Sequence, residues 1–319
     1  MNWLIGAGAM AQAYCHVLNH LQLPVTVVGR SHASASAFTQ ACGVEVQAGG
    51  LESFLATQPE LPERAIVAVD VIALPDVCQT LIDYGVRQIL LEKPGGLYAS
   101  QLRALETRAK KARAQVYIAY NRRFFASVQT AKTIIEQDGG ALSFDIEMTE
   151  WAHKIAPLDL PDDVKQRWLI ANTAHVIDAA FYLGGEPVSM QCFQAGSLAW
   201  HRSAAIMTGA GNTTSGALFS YQGNWQSAGR WGVVVSTAER SLQLSPMEQL
   251  RQQRRGEITW EPVAIDDDAD MHFKPGLLQQ VRAFVAGECR ALCTLSEQIF
   301  RLAWYEKMGN YSHDTRVHS

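Results

Sequence analysis

The chain has 319 residues, 48% of them apolar and 18% charged, enough for about two domains of roughly 150 residues, each with its own core. A net charge of -4 gives no reason to expect nucleic acid or an anionic membrane as partner, and no apolar run approaches the ~20 residues that span a bilayer. The six cysteines (Cys15, Cys42, Cys78, Cys192, Cys289, Cys293) follow no pairing or metal-ligand rhythm, so reduced thiols in a cytoplasmic protein without a metal site are expected.

The first strand is expected at Asn2-Trp3-Leu4-Ile5, which leaves no place for a signal peptide. It runs into Gly6-Ala7-Gly8-Ala9-Met10-Ala11 and then a helix over residues 12–21. This is G-x-G-x-x-A between strand and helix. The first glycine permits the tight turn, the second lets backbone approach a pyrophosphate on the helix N-terminus, and Ala11 lets the helix pack close. Gly6, Gly8, Ala9 and Met10 are therefore candidate dinucleotide contacts.

A second strand, residues 25–28, ends in Gly29-Arg30-Ser31. An NAD-specific site carries a carboxylate here for the ribose diol. None is present. Arg30 can stack on adenine or pair with a 2′-phosphate, and Ser31 can donate to that phosphate, so the reading prefers NADP over NAD. If Arg30 is only a solvated loop residue, selectivity is loose.

Residues 65–69 form a third buried strand, and 70–75 a loop over the cofactor region, with Val69 and Asp70 at its start. A helix over 77–84 stops at Gly85. Ile89-Leu90-Leu91 reads as a strand buried on both faces, ending at Glu92-Lys93-Pro94-Gly95-Gly96. That places Glu92 and Lys93 at the rim where open parallel sheets bind ligands. A lysine leaving an apolar strand is half desolvated, which lowers its pKa toward proton-transfer range; the plain alternative is a strand-end lysine reaching for solvent. After a polar helix (100–112), a last strand (116–120) ends in Asn121-Arg122-Arg123-Phe124. The domains divide here: 1–121 is a doubly wound parallel sheet, and 122–319 a substrate-binding α/β domain. Asn121 is assigned to the nicotinamide side.

In the second half a helix (127–137) precedes strands at 143–148, 216–221, 231–235 and 241–244. Their period of two suggests a mostly antiparallel sheet with one face covered. Asn172-Thr173-Ala174-His175-Val176-Ile177-Asp178 opens a helix that ends at Gly184-Gly185. Asp266-Asp267-Asp268-Ala269-Asp270 lacks the glycine and glutamate of a calcium loop and reads as a solvated turn. Pro275 starts a helix with an apolar stripe, and Thr294-x-x-Glu297 is a capping box for the last one. Residues 311–319 are expected to fray.

Taken together, Gly6-Ala7-Gly8-Ala9-Met10-Ala11, Glu92-Lys93-Pro94, Tyr120-Asn121-Arg122-Arg123-Phe124 and His175-Val176-Ile177-Asp178 resemble the glucose-fructose oxidoreductase, inositol dehydrogenase and rhizopine-catabolism (Gfo/Idh/MocA) family. The resemblance covers nearly the whole length. It implies a Rossmann domain, a second domain whose open sheet forms a dimer face, and hydride transfer between nicotinamide and a secondary alcohol of a sugar or cyclitol. Glu150-Trp151-Ala152-His153 and Gly209-Ala210-Gly211 are similar to a branch found with surface-polysaccharide and sialic-acid-like sugars. One departure stands out: the family's aspartate one turn before the histidine is Ala171 here.

Hydride loss from a carbinol needs a base for the hydroxyl proton. Lys93 and His175 are the candidate pair. His175 would accept the proton or hold the hydroxyl, and ammonium Lys93 would stabilise developing alkoxide. Arg122, Asn172 and Asp178 are candidate substrate contacts. Asn172 or Asp178 can orient the imidazole, or Asp178 can serve packing alone. Arg122 and Arg123 either bind substrate or phosphate oxygens or solvate the strand end. His153, Trp168 and His201 are further pocket candidates. The rival expectation is a dinucleotide-binding regulator or scaffold without catalysis; a third is a nicotinamide that never leaves. A homodimer or homotetramer is expected.

Overall fold

The computed structural model describes residues 1–311; the last part of the tail, 312–319, lies outside the described residues. The chain folds into two units, Met1–Tyr120 with Met271–Phe300, and Asn121–Asp270 with the chain from Arg301 onward.

The first unit is built on a seven-stranded sheet. Six of its strands are β1 (Asn2–Ile5), β2 (Val25–Val28), β3 (Val46–Gln47), β4 (Arg64–Val67), β5 (Gln88–Glu92) and β6 (Gln115–Ala119). All pair in parallel, in the order β6-β5-β4-β1-β2-β3. Trp3, Leu4, Ile66, Val67, Ile89, Leu90 and Leu91 are buried, as a sheet covered on both faces requires. Helices α1 (Ala9–His20), α2 (His32–Cys42), α3 (Gly50–Ala56), α4 (Leu74–Tyr84) and α5 (Ala99–Ala112) make the crossovers. Strand order reverses at β1, between β4 and β2, so the carboxyl ends of these strands form the ligand-binding edge of the fold.

The second unit opens with helix α6 (Ala126–Gln137), followed by β7 (Ser143–Met148), the short helices α7 (Ala152–Ile155) and α8 (Asp162–Gln166), and α9 (Ala174–Gly184). Seven more strands complete its sheet: β8 (Pro187–Ala195), β9 (Ile206–Thr213), β10 (Leu218–Asn224), β11 (Trp231–Ser236), β12 (Arg240–Leu244), β13 (Arg251–Arg254) and β14 (Glu261–Pro262). The order is β14-β13-β12-β11-β7-β10-β9-β8, antiparallel except where β7 pairs with β10. Helix α9 covers one face. Phe144, Phe181 and Phe219 stack there with centroids 5.3–6.0 Å apart, and Gly184 lets α9 approach so closely that a Cβ would sit 2.2 Å from Phe144.

Residues 271–300 differ from the expected division of the chain. After α10 (Asp268–His272), helix α11 (Leu277–Ala286) packs on α1, and β15 (Cys293–Thr294) adds antiparallel to the edge strand β6. The apolar stripe of α11 is therefore part of the first unit's core. The last helix, α12 (Leu295–Met308), is capped as expected: Glu297 N–H donates to Thr294 Oγ1 at 3.1 Å. The acidic run is also more than a solvated turn, because Asp270 Oδ2 accepts from Ala126 N–H at 2.8 Å and caps α6. Tyr311, placed in the fraying tail, is held by Leu169 N–H, which donates to its hydroxyl at 3.2 Å. Among the described residues no helix is long and apolar enough to cross a membrane.

Candidate active site

In the first unit the glycine turn lies on the switch-point edge. Gly6 has φ +125°, and a Cβ there would meet Ala68 O at 2.1 Å. Strand β4 and the turn thus touch backbone to backbone, and Val69 follows at the same edge. Above Gly8 the reverse holds: a Cβ would meet nothing within 4 Å. Gly8 is also the N-cap of α1, with no side chain capping the helix and no acidic residue in its first turn. Unanswered N–H groups, open space over a glycine and the positive end of a 12-residue helix suit a pyrophosphate. Ala9 and Met10 form the first turn of α1, exposed and half-buried respectively.

At the end of β2, Gly29 packs so tightly that a Cβ would lie 2.9 Å from Val46. Ser31 is the N-cap of α2, where its hydroxyl accepts from Ser34 N–H at 3.2 Å. Its first duty is thus local. Arg30 is almost fully exposed, and its guanidinium lies 3.8 Å from Asp70, itself exposed.

Glu92 ends β5 and is buried. Its Oε1 accepts from the Tyr14 hydroxyl at 2.6 Å. Burial raises its pKa above 4.5, opposed by Tyr14, Lys93 and Lys274. Lys93 follows, half-buried, and the Lys93–Pro94 peptide bond is cis. Gln298 donates to Pro94 O at 3.0 Å, and Gly95 turns away at φ +80°. Both glutamate and lysine thus stand at the carboxyl edge of the parallel sheet.

In the second unit, Asn121 is buried and begins a 3-10 turn, Asn121–Phe124. Its two arginines part company. Arg123 is buried and donates from Nε and Nη2 to Asp178 at 2.8 and 2.6 Å. Arg301 donates from Nη1 to Asp178 Oδ1 at 2.5 Å and pairs with Glu186. Asp178 is thereby the centre of a buried ion network and not a substrate contact or the orienter of His175: both its oxygens are held by guanidinium groups. Arg122, by contrast, lies over Trp231, 4.6 Å from the ring centroid.

His175 lies in the first turn of α9 and is buried, its ring 6.3 Å from that of Trp231. A π-helical turn, Leu169–Thr173, precedes it and contains Ala171. Asn172 is not the histidine's partner: its Nδ2 donates to Glu150 Oε1 at 2.9 Å. Trp168 Nε1 and the Thr173 hydroxyl donate to the same oxygen at 3.1 and 2.8 Å, and Arg230 Nη1 donates to Oε2 at 3.1 Å. Glu150 and Arg230 were not singled out individually from sequence; only the Glu150–His153 segment was. The signal available was a glutamate at the end of an alternating strand, just past a buried Phe-x-Ile-x-Met pattern. His201 is no pocket residue. It is fully buried, with Nδ1 2.6 Å from Ala204 O and Nε2 2.7 Å from the Tyr311 hydroxyl. His153 is exposed on α7.

A glycine turn at the N-terminus of a helix, at the switch point of a parallel sheet, marks a Rossmann-type dinucleotide-binding domain. Residues 3–120 match the model of the Gfo/Idh/MocA oxidoreductase family, NAD-binding Rossmann fold. Comparison with curated proteins gives no significant match. Solved structures share the fold over both units. UDP-N-acetylglucosamine 3-dehydrogenase from Acidithiobacillus ferrooxidans is similar at TM-score 0.76 and 15% identity, covering 98% of this chain and 97% of that one. An oxidoreductase from Desulfitobacterium hafniense, described as NADPH-dependent, gives 0.78 and 14%, covering 99% and 96%. Levoglucosan dehydrogenase in complex with NADH and L-sorbose gives 0.76 and 16%, covering 97% and 95%.

Proposed function

We propose that the chain transfers a hydride between a nicotinamide dinucleotide and a secondary alcohol of a sugar or sugar derivative, nucleotide-linked sugars included. The observation that carries this reading is the pairing of Gly8 on the uncapped N-terminus of α1 with Lys93 at the end of β5, in one parallel sheet. The dinucleotide supplies the hydride acceptor or donor. Gly6, Gly8, Ala9 and Met10 hold its pyrophosphate; Val69, Asp70 and Glu92 are further cofactor contacts, and Asn121 faces its nicotinamide side. Neutral His175 accepts the hydroxyl proton, or holds the hydroxyl while neutral Lys93 accepts it; as ammonium, Lys93 stabilises the developing alkoxide. The dehydrogenases of similar fold that act on sugars support this substrate class.

The reading prefers NADP over NAD. Arg30 and the α2 N-terminus at Ser31 favour a 2′-phosphate, and Asp70 beside Arg30 opposes it. Titration by fluorescence decides: NADPH binds more tightly than NADH, and equal affinity removes the role of Arg30. Lys93→Met abolishes turnover of a verified sugar substrate while leaving dinucleotide affinity nearly intact; native-rate turnover by this variant would refute the role of Lys93.

A second reading, a dinucleotide-binding regulator without catalysis, draws on Ala171 where the family has an aspartate. A dinucleotide that binds but never reacts across a panel of sugars and cyclitols would favour it. For the assembly, the reading takes a homodimer or homotetramer formed through the open sheet, on which Phe193 and Leu218 are exposed. Light scattering tests this. It acts in the cytoplasm, where its free cysteines stay reduced.

A further inference from the structure

Around Trp231 the second unit gathers donors that it does not answer. Trp231 opens β11 and is 4% exposed, yet its indole N–H meets no acceptor among the described residues. The guanidinium groups of Arg122 and Arg230 each lie 4.6 Å from its ring centroid. Arg122 Nε–H is likewise buried without an acceptor among the described residues. Burial pushes the Arg122 guanidinium down to about 10, which still leaves it charged at neutral pH.

Two carboxylates face these groups: Glu150 answers Arg230, and among the described residues neither bonds Arg122 or the Trp231 N–H. Glu150 is saturated, with three donors on Oε1 and Arg230 on Oε2. Glu248 is exposed, and its charge reaches Arg122 without forming an ion pair. A buried N–H without an acceptor is costly, and a buried guanidinium without a counter-charge more so. Both unmet needs are for an acceptor, and the unpaired Arg122 cation favours a negative one. The cluster is open at one end, where the Arg230 side chain is 48% exposed and stacks on half-exposed Trp151 at 5.3 Å. At its other side the His175 ring lies 6.3 Å from Trp231. An occupant of this cluster therefore lies beside the histidine proposed to handle the reacting hydroxyl.

We propose that Arg122, Arg230 and the Trp231 indole N–H form an anion subsite for a carboxylate or phosphate of the substrate, so that the sugar handled is an acidic one. This rests on the sugar-oxidoreductase reading above. Bidentate arginine geometry suits either group, and a planar carboxylate or a phosphate can take the indole N–H as a further donor.

The test is calorimetric binding to the full chain, with NADPH titrated separately by fluorescence. The probes are D-glucuronate, D-gluconate, D-glucose 6-phosphate, UDP-glucose and neutral D-glucose. At least one acidic probe is expected to bind tenfold or more tightly than D-glucose, with affinity falling as salt rises. Preference for the sugar acids assigns a carboxylate; preference for glucose 6-phosphate or UDP-glucose assigns a phosphate. Arg122→Met and the milder Trp231→Phe, which keeps the ring and removes the N–H, should each weaken the preferred probe at least tenfold and D-glucose less than twofold. The proposal is overturned if no acidic probe outbinds D-glucose, or if the preference survives in Trp231→Phe and Arg230→Gln. NADPH binding without any acid preference sinks the subsite alone. Failure of both NADPH and NADH to bind sinks the oxidoreductase reading instead.

Discussion

The Tyr14 hydroxyl on α1 donates to Glu92 Oε1 at 2.6 Å, both residues buried, and so ties the helix that follows the glycine turn to the residue that precedes Lys93. Burial raises the carboxyl's pKa above 4.5, and the Tyr14 bond is the strongest opposing influence. A raised carboxyl pKa favours the neutral form in the fold. Its contribution to stability is therefore complete below the unfolded value near 4.5 and is lost as pH rises through the folded value. Tyr14→Phe should lower stability by about 1–3 kcal/mol and steepen that loss, since the carboxylate is left with fewer donors. Glu92→Gln should flatten it. Urea midpoints from pH 4.5 to 8 check both, and parallel pH profiles in all three proteins would contradict the assignment.

Asp178 makes a different kind of demand. It is fully buried between Arg123 and Arg301, with bonds of 2.5–2.8 Å to both. Asp178→Asn leaves two buried guanidinium groups short of a counter-charge, which costs about 3–5 kcal/mol. Guanidinium denaturation measures this. A loss below about 1 kcal/mol would mean that Glu186 alone can hold Arg301.

His201 sets an acid limit. Burial pushes its pKa down from 6.5 to about 4, against hydrogen bonding to Ala204. A depressed histidine pKa stabilises the fold above the unfolded value, and that stability is lost as pH falls from 6.5 through about 4. The shift corresponds to about 3 kcal/mol over the window. Glu92 acts in the opposite sense, its contribution falling as pH rises from 4.5. His201→Gln should be less stable at neutral pH but lack this acid-side loss, and an unchanged slope between pH 6.5 and 4 would exclude His201 as its source.

The first unit was legible because its signals are local. An apolar run, a glycine turn and a helix follow one another within 20 residues at β1 and α1, and the run at Ile89 ends where Pro94 forbids a ladder. Strands β8 and β9 were not legible. Gly209 and Gly211 weaken the strand pattern of β9, and they are there for packing: a Cβ on either would lie within 2.6 Å of Tyr221 or Phe219 side-chain atoms. The return of residues 271–300 to the first unit was hidden for another reason. The two-residue strand β15 is specified by its pairing with β6, not by its own sequence. At the site, charge type misled. Asp178 shares a helix face with His175, but only the fold reveals that Arg301, 123 residues away, claims its carboxylate. Glu150 became visible only when four donors converged on it.

The two glycines of the turn make the most direct test of the dinucleotide site, because the structure asks opposite things of them. Gly6 has φ +125° and sits against Ala68 O, so Gly6→Ala both strains the backbone and drives a methyl into a carbonyl 2.1 Å away. A loss of at least about 2 kcal/mol is expected, since left-handed backbone in a non-glycine residue alone costs about 1–3 kcal/mol. Gly8 has an ordinary φ of −89° and open space above it. Gly8→Ala should therefore fold with native stability, while its methyl occupies the space a pyrophosphate needs. Dinucleotide affinity should fall tenfold or more. Thermal unfolding and NADPH titration on the two variants separate these effects, and a Gly8→Ala protein that binds NADPH as tightly as the parent would remove the pyrophosphate from the α1 N-terminus.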